Sequence, residues 1–195
     1  KKDDLDIIGK KLISILKSNE KIKEIFLFNN ASSIDPIDLI YNVSFENISS
    51  SLVLNVASAY SLSSLLININ KTIKTYETNI INISSGVSIN AIKGWSTYCI
   101  SKAAMNMLSK CIAVENDHLI NNIFSLSINP GAINTEMQRK IRNADPQMIP
   151  IANKFKNMYD EGELQEPEFV TEKLFRILKS KNYSNGDYID FNKIA

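Results

Sequence analysis

The stretch Trp95-Ser96-Thr97-Tyr98-Cys99-Ile100-Ser101-Lys102-Ala103-Ala104 carries more of this protein's fold and chemistry than any other. Tyr98 and Lys102 stand four residues apart, so a helix places them one turn apart on one face. An ammonium beside a phenol favours the phenolate and draws a tyrosine down from its usual pKa of ~10. A tyrosine tuned in that way can pass a proton to an oxygen or take one from it. Taken singly, Tyr98 reads first as a half-buried helix residue and Lys102 as a solvated charge. Their neighbours along the chain decide the matter.

Thirteen residues before Tyr98 stands Ser85, closing the run Asn79-Ile80-Ile81-Asn82-Ile83-Ser84-Ser85-Gly86. Ile80 to Ile83 is short, β-branched and ends in a Ser-Ser-Gly break, the pattern of a buried strand running into a loop. Open α/β sheets bind ligands just beyond the carboxyl ends of their strands, which is where Ser85 lies. Its neighbour Ser84 reads as the structural serine of the two. A further strand, Ile123 to Ile128, runs into Asn129-Pro130-Gly131-Ala132-Ile133-Asn134-Thr135, again a strand end followed by a turn. Upstream, Ile25-Phe26-Leu27-Phe28 runs into Asn29-Asn30-Ala31-Ser32. Three strand ends and one helix thus converge on a single crevice.

This order resembles the short-chain dehydrogenase/reductase superfamily along essentially the whole chain. The family's Asn-Asn-Ala-Gly corresponds to Asn29-Asn30-Ala31-Ser32, with serine in place of glycine, and its helix asparagine to Asn55. Its serine matches Ser85, its Tyr-x-x-x-Lys matches Tyr98 and Lys102, and its Pro-Gly segment matches Pro130 to Thr135. Lys93-Gly94-Trp95, Thr135-Glu136-Met137-Gln138 with Arg142, and Asp187-Tyr188-Ile189-Asp190-Phe191 are similar to the sepiapterin reductase and benzil reductase branch.

The resemblance implies a Rossmann-like, doubly wound parallel sheet in three α/β/α layers. It also implies an NADP(H)-dependent carbonyl reductase, with NAD as the other possible cofactor, acting on vicinal dicarbonyl or pterin-like substrates. Ser85 would bind the carbonyl oxygen and Tyr98 would donate the proton. Lys102 would hold the nicotinamide ribose and lower the Tyr98 pKa, while Asn55 would hold a relay water. Asn29 to Ala31 would line the adenosine ribose. Within Pro130-Gly131, Ile133 and Thr135, backbone at Ile133 would meet the carboxamide and the Thr135 hydroxyl would lie near phosphate. Trp95 and Met137 read equally as core or as substrate wall. Asp190 reads most simply as a strand-end residue, and by resemblance as the anchor of a pterin.

One expected feature is absent from the sequence. The family opens with a glycine-rich turn whose helix N-terminus holds the pyrophosphate, yet Gly9 is the only glycine before Gly86. The chain is therefore expected to be one short-chain dehydrogenase domain over residues 1–195, lacking its first strands. A preceding segment of roughly sixty residues would supply three strands and their helices, and without it Ile25–Phe28 would expose an apolar edge. The rival reading is a non-catalytic remnant or interaction protein with a degenerate cofactor site.

Composition narrows the partners. With 22 basic and 21 acidic residues the formal charge is +1, too balanced to draw nucleic acid or an anionic membrane. No run of purely apolar residues approaches the ~18 needed to span a bilayer. Cys99 and Cys111 on one helix lie ~18 Å apart along its axis, beyond disulfide reach, which points to reduced thiols and the cytoplasm. His118 is the only histidine, which argues against a histidine triad or a multi-histidine metal site.

Periodicity places the remaining elements. Leu5, Ile8, Leu12, Ile15 and Leu16 mark a first amphipathic helix ending near Asn19, and a long helix is expected from Ser44 to Tyr76. The Tyr98 helix should run to about Asp117. Glu136 to Gln165 should form short helices as a lid, followed by a helix from Pro167 and a last strand at Tyr188–Phe191. Apolar residues in surplus on two helices imply a homodimer or homotetramer: Ala57, Leu62, Leu65 and Leu66 on one, Met105, Leu108 and Ile112 on the other.

Overall fold

The computed structural model describes residues 2–19, 21–73, 76–116, 123–147 and 149–194. Four parallel strands, β1 (Glu24–Asn29), β2 (Glu77–Ile83), β3 (Ile123–Asn129) and β4 (Tyr188–Asp190), form one sheet in the order β1-β2-β3-β4. In register, Ile80 pairs with Leu27 on one side and Ser125 on the other. β2 is buried on both faces, with Ile80 0% and Ile81 1% exposed. That double burial is why the strand reads as a continuous β-branched run rather than an alternating one.

Successive side chains of β2 feed two cores. Ile80 joins Leu66 and Ile112, so α3 (Ser58–Ile73) and α4 (Ser96–Asn116) cover one face, with Leu12 of α1 (Lys2–Ser18) packed alongside. Ile81 joins Leu126, Val170 and Leu178, so α7 (Pro167–Ser180) covers the other. The result is the expected three-layer α/β/α arrangement. Asn82, 0% exposed, keeps its amide satisfied between the layers by donating to Ser109 Oγ at 2.7 Å and accepting from Asn29 at 2.8 Å. β1 ends the sheet, and its Phe26 and Phe28, each 37% exposed, stack on one another at 6.2 Å.

The long helix differs from expectation at its end, where Tyr76 already lies outside it, and in its middle. α2 (Phe45–Leu52) passes into α3 through a π turn, Val53–Ala57, in which Ser58 N–H reaches Val53 O, and Asn55 sits at its centre. The whole span Phe45–Ile73 is long and apolar enough to cross a membrane, against the sequence reading, because no charge interrupts Asn47 to Asn70. Here one face of it packs on the sheet through Ala59, Leu66 and Ile69. Two short helices, α5 (Glu136–Arg142) and α6 (Ile151–Asp160), form the lid segment. The last strand stops at Asp190, one residue early, because Phe191 begins a tight turn capped by the Asp190 carboxylate. The placement of His118 and of the expected helix end at Asp117 lies outside the described residues.

Candidate active site

The carboxyl ends of β1, β2 and β3 open into one cleft of about 1150 Å³, counting its open mouth. Ala31, Ser85, Tyr98, Lys102, Pro130, Gly131, Ile133 and Thr135 all line it, as do Trp95 and Met137. Lys102 is the only charged side chain among the described residues that do so.

Each is placed by a local device. Ser85 caps the turn Gly86–Ser88, its Oγ accepting from Val87 N–H, which turns its hydroxyl toward the start of α4. Ser84 is buried and donates to the Lys102 carbonyl at 3.3 Å, tying β2 to α4. In the Pro-Gly loop, Gly131 takes φ +86°, and a Cβ there would meet Asn192 and Gln165 side-chain atoms at 2.8 Å. That positive φ favours glycine. Gln165 pins the loop by donating to Ala132 O and accepting from Asn134 N–H. Thr135 caps α5 by accepting from Gln138 N–H.

Electrostatics in the cleft are set by burial. Desolvation pushes the Tyr98 phenol up to about 12; the hydrogen bond with Ser85 pulls the other way and Cys99 adds slightly to the rise. Burial pulls the Lys102 ammonium down to about 8. The expectation that Lys102 lowers the Tyr98 pKa is therefore corrected. Its Nζ donates to Ile83 O at 2.8 Å and lies 5.5 Å from the centre of the Tyr98 ring, over the face and not at the phenol oxygen. A buried tyrosine with a high pKa stays protonated, the state that a proton donor to a carbonyl needs.

Three expected residues stand elsewhere. The Asn29 side chain turns inward and donates to Ser63 Oγ and Asn82 Oδ1, so Asn30, Ala31 and Ser32 meet the cleft in its place. Asn55 is 3% exposed and its amide is taken up by protein: Ser33 N–H donates to Oδ1, while Nδ2 donates to Ser33 O and Ser101 Oγ. That side chain clamps the β1–α2 connection to α4. Asp190 lies outside the cleft, its Oδ1 accepting from Asn129 Nδ2, Asn192 N–H and Asn192 Nδ2, which makes it a cap. Trp95 and Met137 turn out to be both core and wall.

Sequence reasoning missed Phe155, Val87, Ile141 and Gln138, which also line the cleft. Only Phe155 left a signal: an aromatic three residues after Ala152 in an otherwise polar segment, on the same face of α6.

A family model of the short chain dehydrogenases matches residues 15–146, more than half of the chain. The chain belongs to the short-chain dehydrogenase family. It is thereby an NAD(P)-dependent oxidoreductase. It is 29% identical over 180 residues to the benzil reductase ((S)-benzoin forming) of Bacillus cereus, covering 92% of this chain and 72% of that protein. It is 28% identical to the sepiapterin reductase of Rattus norvegicus, covering 90% of this chain and 66% of that protein. A crystal structure of a short chain dehydrogenase/reductase from Saccharomyces cerevisiae superposes with a TM-score of 0.77 at 22% identity, over 97% of this chain and 74% of that one.

The residues present fit the nicotinamide half of the family's cofactor. The cleft joins a buried cation, the hydroxyls of Ser85, Tyr98 and Thr135, and a pinned backbone loop. The pyrophosphate turn is not among the residues of this sequence.

Proposed function

We propose that this short-chain dehydrogenase is an NADP(H)-dependent carbonyl reductase acting on vicinal dicarbonyl compounds. One observation carries the reading: Ser85, Tyr98 and Lys102 line one cleft, in which Lys102 is the only charged side chain among the described residues. Ser85 donates a hydrogen bond to the substrate carbonyl oxygen and so polarises the bond. The cofactor, when bound, supplies a hydride to the carbonyl carbon. Tyr98 gives its phenolic proton to the oxygen, so that the C=O becomes CH–OH. Lys102 also serves the nicotinamide ribose hydroxyls, and the loop Pro130 to Thr135 the carboxamide and the adjacent phosphate. Asn55 positions the Ser33 backbone and α4, not the reacting atoms. The preference for NADP over NAD rests on the branch resemblance alone.

Between the two substrate types, the position of Asp190 favours the diketone. A pterin's guanidine-like edge asks for a carboxylate, and none lines the cleft among the described residues. Two free cysteines support a reducing compartment, the cytoplasm, and the exposed apolar Tyr60 and Val114 support a homodimer.

The test is the full-length protein with NADPH and benzil, wild type against Tyr98→Phe. Removing one hydroxyl leaves the fold intact and should lower kcat by at least ~10²-fold, with NADPH still bound. Near wild-type turnover in Tyr98→Phe would overturn the assignment. Failure of the wild type to bind NADPH in a fluorescence titration would favour a non-catalytic chain.

A further inference from the structure

The lid helix α6 brings an aromatic side chain to the substrate end of the cleft, and its setting is unusually well defined. Ala152, 1% exposed, and Ile149, 3% exposed, anchor this part of the chain in a cluster with Ile34, Val87, Trp95, Tyr98 and Ile141. Phe155, one turn on from Ala152, packs its ring parallel to Trp95, with centroids 6.2 Å apart and planes 9° apart. Trp95 in turn meets Tyr98 edge-on at 6.1 Å and 81°. The proton donor is thus connected to the lid through a run of three rings.

Two further contacts fix Phe155 from behind. Its carbonyl accepts from Gln138 Nε2 at 3.3 Å, tying α6 to α5. Arg142 bonds the same Gln138 and lays its guanidinium 3.8 Å from the centre of the Tyr159 ring on α6. Trp95 Nε1 is buried and has no hydrogen-bond partner among the described residues. Its plane is therefore set by packing, to which Phe155 contributes the parallel ring. Around the Trp95 and Phe155 rings the cleft is lined by Val87, Met137 and Ile141, and among the described residues Lys102 is the only charged side chain that lines it.

We propose that Phe155 is the specificity-determining residue of this cleft. Its ring receives a flat, uncharged aryl group carried by the carbon beside the reacting carbonyl. The lid helix thereby selects aryl ketones and diketones over aliphatic ones. Ring-on-ring contact adds to simple area burial, on a scale of about tenfold in affinity for one well-placed pair. This rests on the carbonyl-reductase reading for its turnover arm, but not for its binding arm.

The experiment compares the full-length wild type with Phe155→Leu and Phe155→Tyr, using benzil and 2,3-butanedione as aryl and aliphatic diketones. For Phe155→Leu, the ratio of kcat/KM for benzil over that for butanedione should fall about tenfold, mainly through KM for benzil. Phe155→Tyr keeps the ring and should keep the ratio. In parallel, benzil is titrated against the fluorescence of Trp95, the chain's only tryptophan. Quenching in the wild type, with a midpoint raised about tenfold in Phe155→Leu and restored in Phe155→Tyr, is the expected result. An unchanged ratio, or an unchanged midpoint, overturns the proposal. If the wild type reduces neither diketone, the activity reading has failed and the titration still decides the role of Phe155. If Phe155→Leu does not fold, Phe155→Met takes its place in both arms under the same criteria.

Discussion

The Asn55 side chain holds the Ser33 peptide from both ends, accepting from its N–H and donating to its carbonyl, each at 2.8 Å. Two reciprocal bonds of this kind fix the loop that follows β1 to the π turn, and Nδ2 adds a bond to Ser101 Oγ at 3.2 Å on α4. The helix that packs on the sheet, the loop at the cleft and the helix bearing Tyr98 therefore share one amide. A mid-helix asparagine of poor intrinsic propensity is accounted for by that geometry.

Asn55→Ala should accordingly destabilise the fold by about 2 kcal/mol, since two backbone groups of Ser33 lose their partner in a part-buried site. Chemical denaturation measures this directly. A change under half a kilocalorie would mean that solvent replaces the amide without cost.

The core of this fold was plain in the sequence because its strands are short β-branched runs with polar breaks, and four-residue spacing alone put Tyr98 beside Lys102. What was not legible depends on tertiary placement. A π turn adds one residue to the helical ladder and leaves no compositional mark, so the clamp at Asn55 was invisible. Asn29 and Asn30 are equally good candidates for a strand-end ligand, and only the pleat decides which turns inward. The Tyr98 pKa was misjudged because local spacing brings in the ammonium, while burial comes from Ile34, Ile141 and the lid residues Ile149 and Ala152, far along the chain. Asp190 resembles an anchor in sequence and is a cap in space because Phe191 starts a turn immediately after it.

Lys102 offers a pH test with a definite sign. Its folded pKa is about 8, against an unfolded value of ~10.4. Between these two values the unfolded chain binds more protons, so this group makes stability rise with pH across that window. Below about 8 the full cost of burying the ammonium is present. Lys102→Met removes that cost. The stability of the variant relative to wild type should therefore be greatest near pH 7 and shrink by up to about 3 kcal/mol by pH 10.5. Taking the difference cancels the cysteines and surface lysines, which titrate in both proteins. A gap that widens with pH would contradict the burial of a charged Lys102.

Asp190→Ala separates a cap from a ligand. The carboxylate accepts from the Asn192 N–H at 3.0 Å and from Asn129 Nδ2 at 2.9 Å, and losing such a cap costs about 1 kcal/mol. Thermal melting should show that loss, with KM for sepiapterin and for benzil changing together or not at all. A rise of ~10-fold in KM for sepiapterin alone would return Asp190 to the substrate site.

The oligomer prediction survives in a different form. Leu66, Met105 and Ile112, nominated as surplus, are 4%, 2% and 5% exposed and belong to the core. The outward apolar residues are Val53, Leu54 and Tyr60 on one helix and Ile100, Met107 and Val114 on the other, with Val114 75% exposed. The two sets differ by only two or so positions along each helix, enough to rotate a side chain from the sheet to the outside. An isologous contact between these faces in two copies would bury them. Light scattering on the full-length protein at micromolar concentration should give a dimer or larger. Charge introduced on both helices, Tyr60→Lys with Val114→Lys, should shift it to monomer without loss of helix content, because both side chains point away from the core. A wild-type monomer mass would remove the pairing, and sedimentation with lipid vesicles would instead assign this apolar face to a membrane surface.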